Sequence, residues 1–170
     1  MNQKCIGIDI GGTSVKMGLF QADGTLLKKW EIPTRKEDGG ANILGDIAAS
    51  IRRQMKGEGI ALTELAGAGM GLPGPVLPNG HIEFCVNLGW KAGNPQEELS
   101  RLLDGIPVKS GNDANVAALG EMWQGGGRGY KNLVMVTLGT GVGGGVILNE
   151  KIWTGMQGVG GEIGHMHIVE

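Results

Sequence analysis

The chain says the same thing twice. A β-branched run from Lys4 to Ile10 ends in the glycine turn DIGGTS, a second apolar run follows from Val15 to Phe20, and an Asp-Gly turn at Ala22–Thr25 leads into a third run, Leu26–Ile32, which Pro33 stops. The order returns from Asn132: a strand to Leu138, the glycine turn GTGVGGG, a strand over Gly144–Leu148, a turn at Asn149-Glu150 and a short strand over Lys151–Thr154. Two copies of strand, glycine turn, strand, turn, strand predict two antiparallel meanders. An internal duplication of this kind predicts two similar lobes facing each other across a cleft.

The segment between the copies is mixed α/β. Ile43, Leu44, Ile47, Ile51 and Met55 recur at helical spacing between Gly39 and Gly57, with Arg52, Arg53 and Lys56 near the C-terminal end where positive charge suits the helix dipole. Leu65–Leu72 (LAGAGMGL) reads as a buried strand. Asn94-Pro95-Gln96-Glu97 has the form of an N-cap, a first-turn proline and a capping-box glutamate, followed by Leu99, Leu102 and Leu103 on one face. Ile106–Ser110 is a further short strand, and Asn112 caps a helix to about Gln124 with Val116, Leu119 and Trp123 on one side.

Composition removes several classes. With 41% hydrophobic and 19% charged residues the chain is neither disordered nor membrane-embedded, and no apolar run approaches the ~20 residues that span a bilayer. The start, Met-Asn-Gln-Lys, carries no signal-peptide pattern, so a cytoplasmic protein is expected. A net charge of -2 with scattered Lys and Arg argues against nucleic acid as a partner. Cys5 and Cys85 are far apart, without a CxxC or Cys/His cluster, and read as small buried apolar groups. Glycine stands out: 34 of 170 residues, without a collagen-like period and with few prolines, mark many tight turns and close backbone approaches.

Four stretches have chemistry to offer. In DIGGTS, Asp9 ends a buried strand, Gly11, Gly12 and Thr13 make the turn, and Lys16 lies just beyond. Backbone N–H groups in such a turn can aim at phosphate oxygens while the carboxylate holds a hydrated Mg²⁺; a plain hairpin turn with a capping aspartate is the alternative. TLGTGVGGG offers the same parts, with the Thr140 hydroxyl and Gly139, Gly141 and Gly143 closing round a phosphate. In GNDAN, Asp113 falls in the first turn of a helix beside Asn112 and Asn115, the place for a general base with hydroxyl-binding neighbours, or simply for a cap. In GEIGHMH, Glu162 and His165 are three residues apart and on a helix would share one space, binding adjacent hydroxyls or placing His165 as one metal ligand. Gly74 of GLPGPV and Asn87 of NLGW leave strands as walls of a sugar pocket or as turns.

In sequence order, DIGGTSVK, GLPGPV, NLGW, NDANVAALGE, TLGTGVGGG and GEIGH resemble the ROK sugar kinases, most of all the bacterial ATP-dependent glucokinases. The resemblance spans nearly the whole chain. It implies an α/β fold of the actin-like ATPase (ribonuclease H-like) type, duplicated, with the first lobe complete or nearly so over residues 1–125 and a second, truncated lobe over 126–170. It further implies phosphorylation of glucose to glucose 6-phosphate with ATP and Mg²⁺ in carbohydrate metabolism, and a homo-oligomeric intact enzyme. Asp113 is then the catalytic base; Gly74, Asn87, Asn112, Glu162 and His165 contact the sugar. Asp9, Gly11, Gly12, Thr13, Lys16, Thr140 and Gly141 belong to the two phosphate loops. Another hexose or N-acetylmannosamine as substrate, polyphosphate as donor, and a non-catalytic sugar-binding or regulator fragment are the alternatives.

Two positions depart from the family pattern: Leu77 stands where aspartate usually follows PGPV, and Gly111 where glutamate often precedes NDAN. The family continues past GH into a cysteine-rich zinc segment, for which His165 is a single ligand here, and into the rest of the second lobe. The expectation is an N-terminal portion of a glucokinase, without zinc and inactive alone.

Overall fold

The computed structural model describes residues 3–139, 141–156 and 158–167. It forms two compact units that divide between Gly111 and Asn112. The helix after Asn112 packs on the second sheet, which is why the units divide ahead of it.

The first unit opens with the expected meander: β1 (Lys4–Ile10), β2 (Ser14–Gln21) and β3 (Leu26–Pro33). A short turn of helix, α1 (Glu37–Gly40), and the long helix α2 (Ile43–Gly57) lead to β4 (Leu65–Leu72). Helix α3 (Pro95–Leu102) then precedes β5 (Val108–Asn112). The sheet has five strands in the order β3-β2-β1-β4-β5. β1 runs antiparallel to β2, with Asp9 opposite Lys16, and parallel to β4, with Asp9 beside Gly71.

Alternation along the strands builds the core. Ile6, Ile8 and Ile10 of β1, Val15, Met17 and Leu19 of β2, and Ala68, Met70 and Leu72 of β4 are buried in one cluster with Ile43, Ile47, Ile51 and Met55 of α2 and Leu99 of α3. Burying each large side chain contributes roughly 1.5–3 kcal/mol of transfer free energy. The helical positions picked out by periodicity are therefore the ones that meet the sheet. α2 stops as glycine allows: Gly59 takes φ +68°, and the Glu58 and Ile60 N–H groups donate to Gln54 O (3.1 Å) and Met55 O (2.9 Å). α3 starts as Asn94 dictates, its Oδ1 accepting the Glu97 N–H at 3.2 Å. Arg52 of α2 donates to both carboxylate oxygens of Asp104 at 2.9 Å and to Leu102 O at 2.8 Å, tying α2 to the end of α3 and holding the Asp104 carboxyl below the usual carboxylate range. Cys85 is buried as predicted; Cys5 is half-buried, which pushes its thiol up.

The second unit contains α4 (Asp113–Gln124), β6 (Leu133–Leu138), β7 (Val142–Leu148) and β8 (Lys151–Ile152), whose three strands form an antiparallel sheet in sequence order. β8 ends at Ile152, short of the predicted Thr154. α4 turns a different face inward from the one its apolar residues suggest: Ala114 and Ala118 are buried, while Val116, Leu119 and Trp123 are 37%, 38% and 54% exposed. The reason lies in β7. A Cβ at Gly145 would stand 2.6 Å from the Ala118 Cβ, so the helix lies too close for any larger side chain between them. The displaced large residues line an open apolar groove of about 700 Å³ with Tyr130, Arg128 and Glu150. On β6, Val134, Val136 and Leu138 are 63%, 53% and 82% exposed.

In the first unit NLGW is held against the start of α2. Trp90 Nε1 donates to Gly40 O at 3.0 Å, and Gly40, at φ +72°, lies so near the Leu88 carbonyl and the Trp90 ring that a Cβ would be 2.8 Å from Nε1. Asn87 rides on this contact. Gly40→Ala is therefore expected to destabilise the unit by about 2 kcal/mol or more, combining left-handed backbone strain with displacement of the loop. Denaturant unfolding followed by tryptophan fluorescence, against a Gly57→Ala control with open space around its Cα, measures it.

Candidate active site

In the first unit the candidate residues gather at the turn between β1 and β2. Its carbonyls are tied inward: Ser14 O accepts from the Gly11 N–H at 3.0 Å, Gly11 O from Thr34 Oγ1 at 2.7 Å, and Thr13 O from the Thr34 N–H at 2.9 Å. Among the described residues the Gly12 and Thr13 N–H groups donate to no protein acceptor. A turn with its carbonyls engaged and N–H groups outward is a concavity for an anion. Asp9 and Lys16, opposite each other on the paired strands, are both exposed on one face beside it. Asn87 O lies 4.0 Å from the place of a Gly12 Cβ, so NLGW adjoins the same turn. Gly74 takes φ +127° in the loop leaving β4, the strand whose Gly71 pairs with Asp9. Asp9, Gly11, Gly12, Thr13, Lys16, Gly74 and Asn87, predicted separately, fall in one unit around the C-terminal ends of β1 and β4.

In the second unit the candidate residues gather round the start of α4. Asn112 is the cap, its Oδ1 accepting the Asn115 N–H at 3.0 Å, and Asp113 Oδ1 accepts the Ala114 N–H at 2.8 Å while the residue stays exposed. The capping role allowed for Asn112 is therefore real, and it sets the Asp113 carboxylate at the positive end of the helix. Asn115 is 5% exposed, and its buried Oδ1 has no hydrogen-bond partner among the described residues. That oxygen lies 3.6 Å from the place of a Gly161 Cβ, and Gly161 in turn presses on Gly144 of β7. GEIGH is thus packed against β7 and reaches the first turn of α4. Glu162 precedes a single 3-10 turn, Ile163–His165, and its carboxylate lies 4.0 Å from His165 Nε2. In the second glycine turn the Gly139 N–H donates to Gly141 O at 3.0 Å; Thr140, predicted there as a phosphate ligand, lies outside the described residues.

These groups suit some ions and not others. Among the described residues no cluster of three His, Cys, Asp or Glu gathers to hold a metal. One carboxylate beside an anion turn is what Mg²⁺ uses when substrate phosphates and water complete its shell, so Asp9 fits that ion. A structural zinc needs four ligands, and His165, 86% exposed at its side chain, has no described set of them, so zinc does not fit here. Sequence reasoning missed Thr34: a threonine after a strand carries no distinguishing signal until its partners are seen.

A five-stranded sheet ordered 3-2-1-4-5, with a glycine turn after β1 and a second meander following, is that of the actin-like ATPase fold. Within that class the ROK family pattern matches residues 5–170, and the chain belongs to the ROK family. It is 44% identical over 165 residues to a glucokinase of Halalkalibacterium halodurans and 39% identical to one of Thermotoga maritima, in each case covering 96% of this chain and 50% of the relative. The structure of a ROK family glucokinase from Streptomyces griseus in complex with glucose and AMPPNP superposes with a TM-score of 0.83 at 33% identity, over 98% of this chain and 51% of that one. The chain therefore spans about half the length of the relatives it matches.

The arrangement round the start of α4 depends on bare backbone at Gly145. Gly145→Ala is expected to force β7 away from Ala114 and Ala118 and to shift the turn carrying Asp113, at about 1–3 kcal/mol. Thermal unfolding should report the loss, and the Ala114 and Asn115 amide resonances should move; an unchanged melting temperature with unmoved resonances would contradict the close contact.

Proposed function

We propose that this chain carries the catalytic base, the sugar contacts and the phosphate turns of an ATP-dependent glucose kinase acting in the cytoplasm. The observation that carries the reading is an exposed Asp113 carboxylate at the capped start of α4, with the Glu162 and His165 segment packed beside it, in a ROK chain 44% identical to a glucokinase. Asp113 accepts the proton of the glucose 6-hydroxyl as that oxygen bonds to the γ-phosphorus of ATP, the bond to the β-phosphate bridging oxygen breaks, and ADP leaves. Asn112, Asn87, Glu162 and His165 hold the remaining hydroxyls, with Gly74 leaving room for the ring. The Gly11–Thr13 turn and Lys16 bind phosphate oxygens, as do Thr140 and Gly141 of the second turn. Mg²⁺ held by Asp9 supplies neutralisation of charge on the transferring group. Residues 1–125 and 126–170 are assigned to the first lobe and the start of the second, and the intact enzyme to a homo-oligomer, which light scattering on a full-length protein tests.

Phosphoryl transfer gains more from position and electrostatics than from covalent help, and general-base assistance is worth about 10²- to 10⁴-fold. In a full-length protein, Asp113→Asn should therefore bind glucose with little change and lose kcat by about that factor. Calorimetry and a coupled ADP assay read the two quantities; a near-normal kcat removes Asp113 from the role. For the 170-residue chain itself, no glucose-dependent ADP release is expected, and robust turnover by protein of the matching intact mass would refute this.

A further inference from the structure

Thr34 follows the last residue of β3, and both its polar groups are committed to the β1–β2 turn. The hydroxyl donates to Gly11 O at 2.7 Å and the N–H to Thr13 O at 2.9 Å. In a trans peptide the C=O and N–H of one unit point in opposite directions. Fixing the Gly11 carbonyl toward Thr34 therefore turns the Gly12 N–H away from it, and fixing the Thr13 carbonyl does the same for the Ser14 N–H. The direction of these donors is set from outside the turn.

Thr34 is itself held on both sides. Pro33 before it is in register with Ser14 at the end of the β2–β3 ladder. Arg35 after it forks onto Asp46 of α2, with Nε 2.6 Å from Oδ2 and a second bond from Nη2 to Oδ1. A strand end and an ion pair to a core-packed helix thus fix the residue that fixes the turn. Glycines alone would leave these peptide units free to flip, and a flipped unit would offer a carbonyl oxygen to an anion.

We propose that Thr34 is a positioning residue for phosphate binding, orienting the Gly12 N–H without touching the ligand. The inference rests on the phosphate reading of this turn and adds the group that aims it. Removing the hydroxyl leaves the Gly11 carbonyl untied, so phosphate affinity falls while the fold is retained. Serine, which keeps the hydroxyl, preserves the arrangement.

The test uses the 170-residue chain labelled with ¹⁵N, titrated with inorganic tripolyphosphate and Mg²⁺, as wild type and as Thr34→Val, Thr34→Ser and Thr34→Ala. Shifts of the Gly12 amide should saturate in the wild type and in Thr34→Ser. Valine and alanine should weaken the affinity about three- to tenfold, the worth of one hydrogen bond. Exchange of the Gly11 amide should speed up in the same two variants, with α2 amides unchanged. Alanine carries the test if valine disturbs folding through its extra methyl. Wild-type binding that is matched by folded Thr34→Ala overturns the proposal and leaves the phosphate reading standing. A wild type whose Gly12 amide ignores tripolyphosphate overturns that reading, and the proposal with it.

Discussion

Backbone brought too close for a side chain is the constraint on which the candidate residues of each unit rest. At Gly145 the strand lies against Ala118 with no room for a Cβ, and at Gly40 the chain meets the Leu88 carbonyl and the Trp90 ring in the same way. Each contact fixes a neighbour that matters: the first turn of α4 with Asp113 in one unit, the loop with Asn87 in the other. Thirty-four glycines might suggest slackness, since glycine loses more freedom on folding than any other residue. Where the backbone is hydrogen-bonded and packed on both sides, that same lack of a side chain produces rigidity, because peptide groups sit against one another with no rotamer between them.

The electrostatics follow from where those peptide groups point. In the β1–β2 turn the carbonyls are engaged from within, which leaves a surface of N–H dipoles next to Asp9 and Lys16. In α4 the Asn112 side-chain oxygen answers the Asn115 N–H and the Asp113 carboxylate answers the Ala114 N–H, at the positive end of the helix. Neither arrangement needs a large net charge, and the chain carries only -2. For a reaction whose transition state spreads negative charge over phosphate oxygens, oriented dipoles that need no reorganisation serve better than a cluster of mobile lysines.

Most of the fold was legible, for reasons that can be assigned residue by residue. The meander showed because its apolar residues alternate and its turns are Gly-rich; α2 showed because Ile43, Ile47, Ile51 and Met55 all face one core. The caps at Asn94 and Asn112 are local chemistry and were read correctly. The buried face of α4 was not, because its large apolar residues suggest one side while the glycines of β7, distant in sequence, admit only Ala114 and Ala118. For the same reason α4 looks like the last element of the first half until its partner strand is known. Of the site, the motif residues were visible and their supports were not. Thr34 acts through Gly11 and Thr13, more than 20 residues away, and one sequence carries no sign of such pairing.

The two units also differ in how far their own residues stabilise them. The first buries a continuous cluster of isoleucine, leucine, methionine and valine between sheet and helices, so its phosphate turn stands on a scaffold that holds itself together. In the second, the buried apolar residues are Ala114, Ala118 and Ile147, while the alternate side chains of β6 face solvent. Small side chains bury little area, and at roughly 25 cal/mol per Å² they contribute correspondingly little. Local opening is easiest where buried apolar contact is least. The carboxylate proposed to take the proton therefore sits in the unit with less buried apolar contact among the described residues. Phosphate binding at the first turn and precise placement of Asp113 are, on this account, separable properties with different structural requirements.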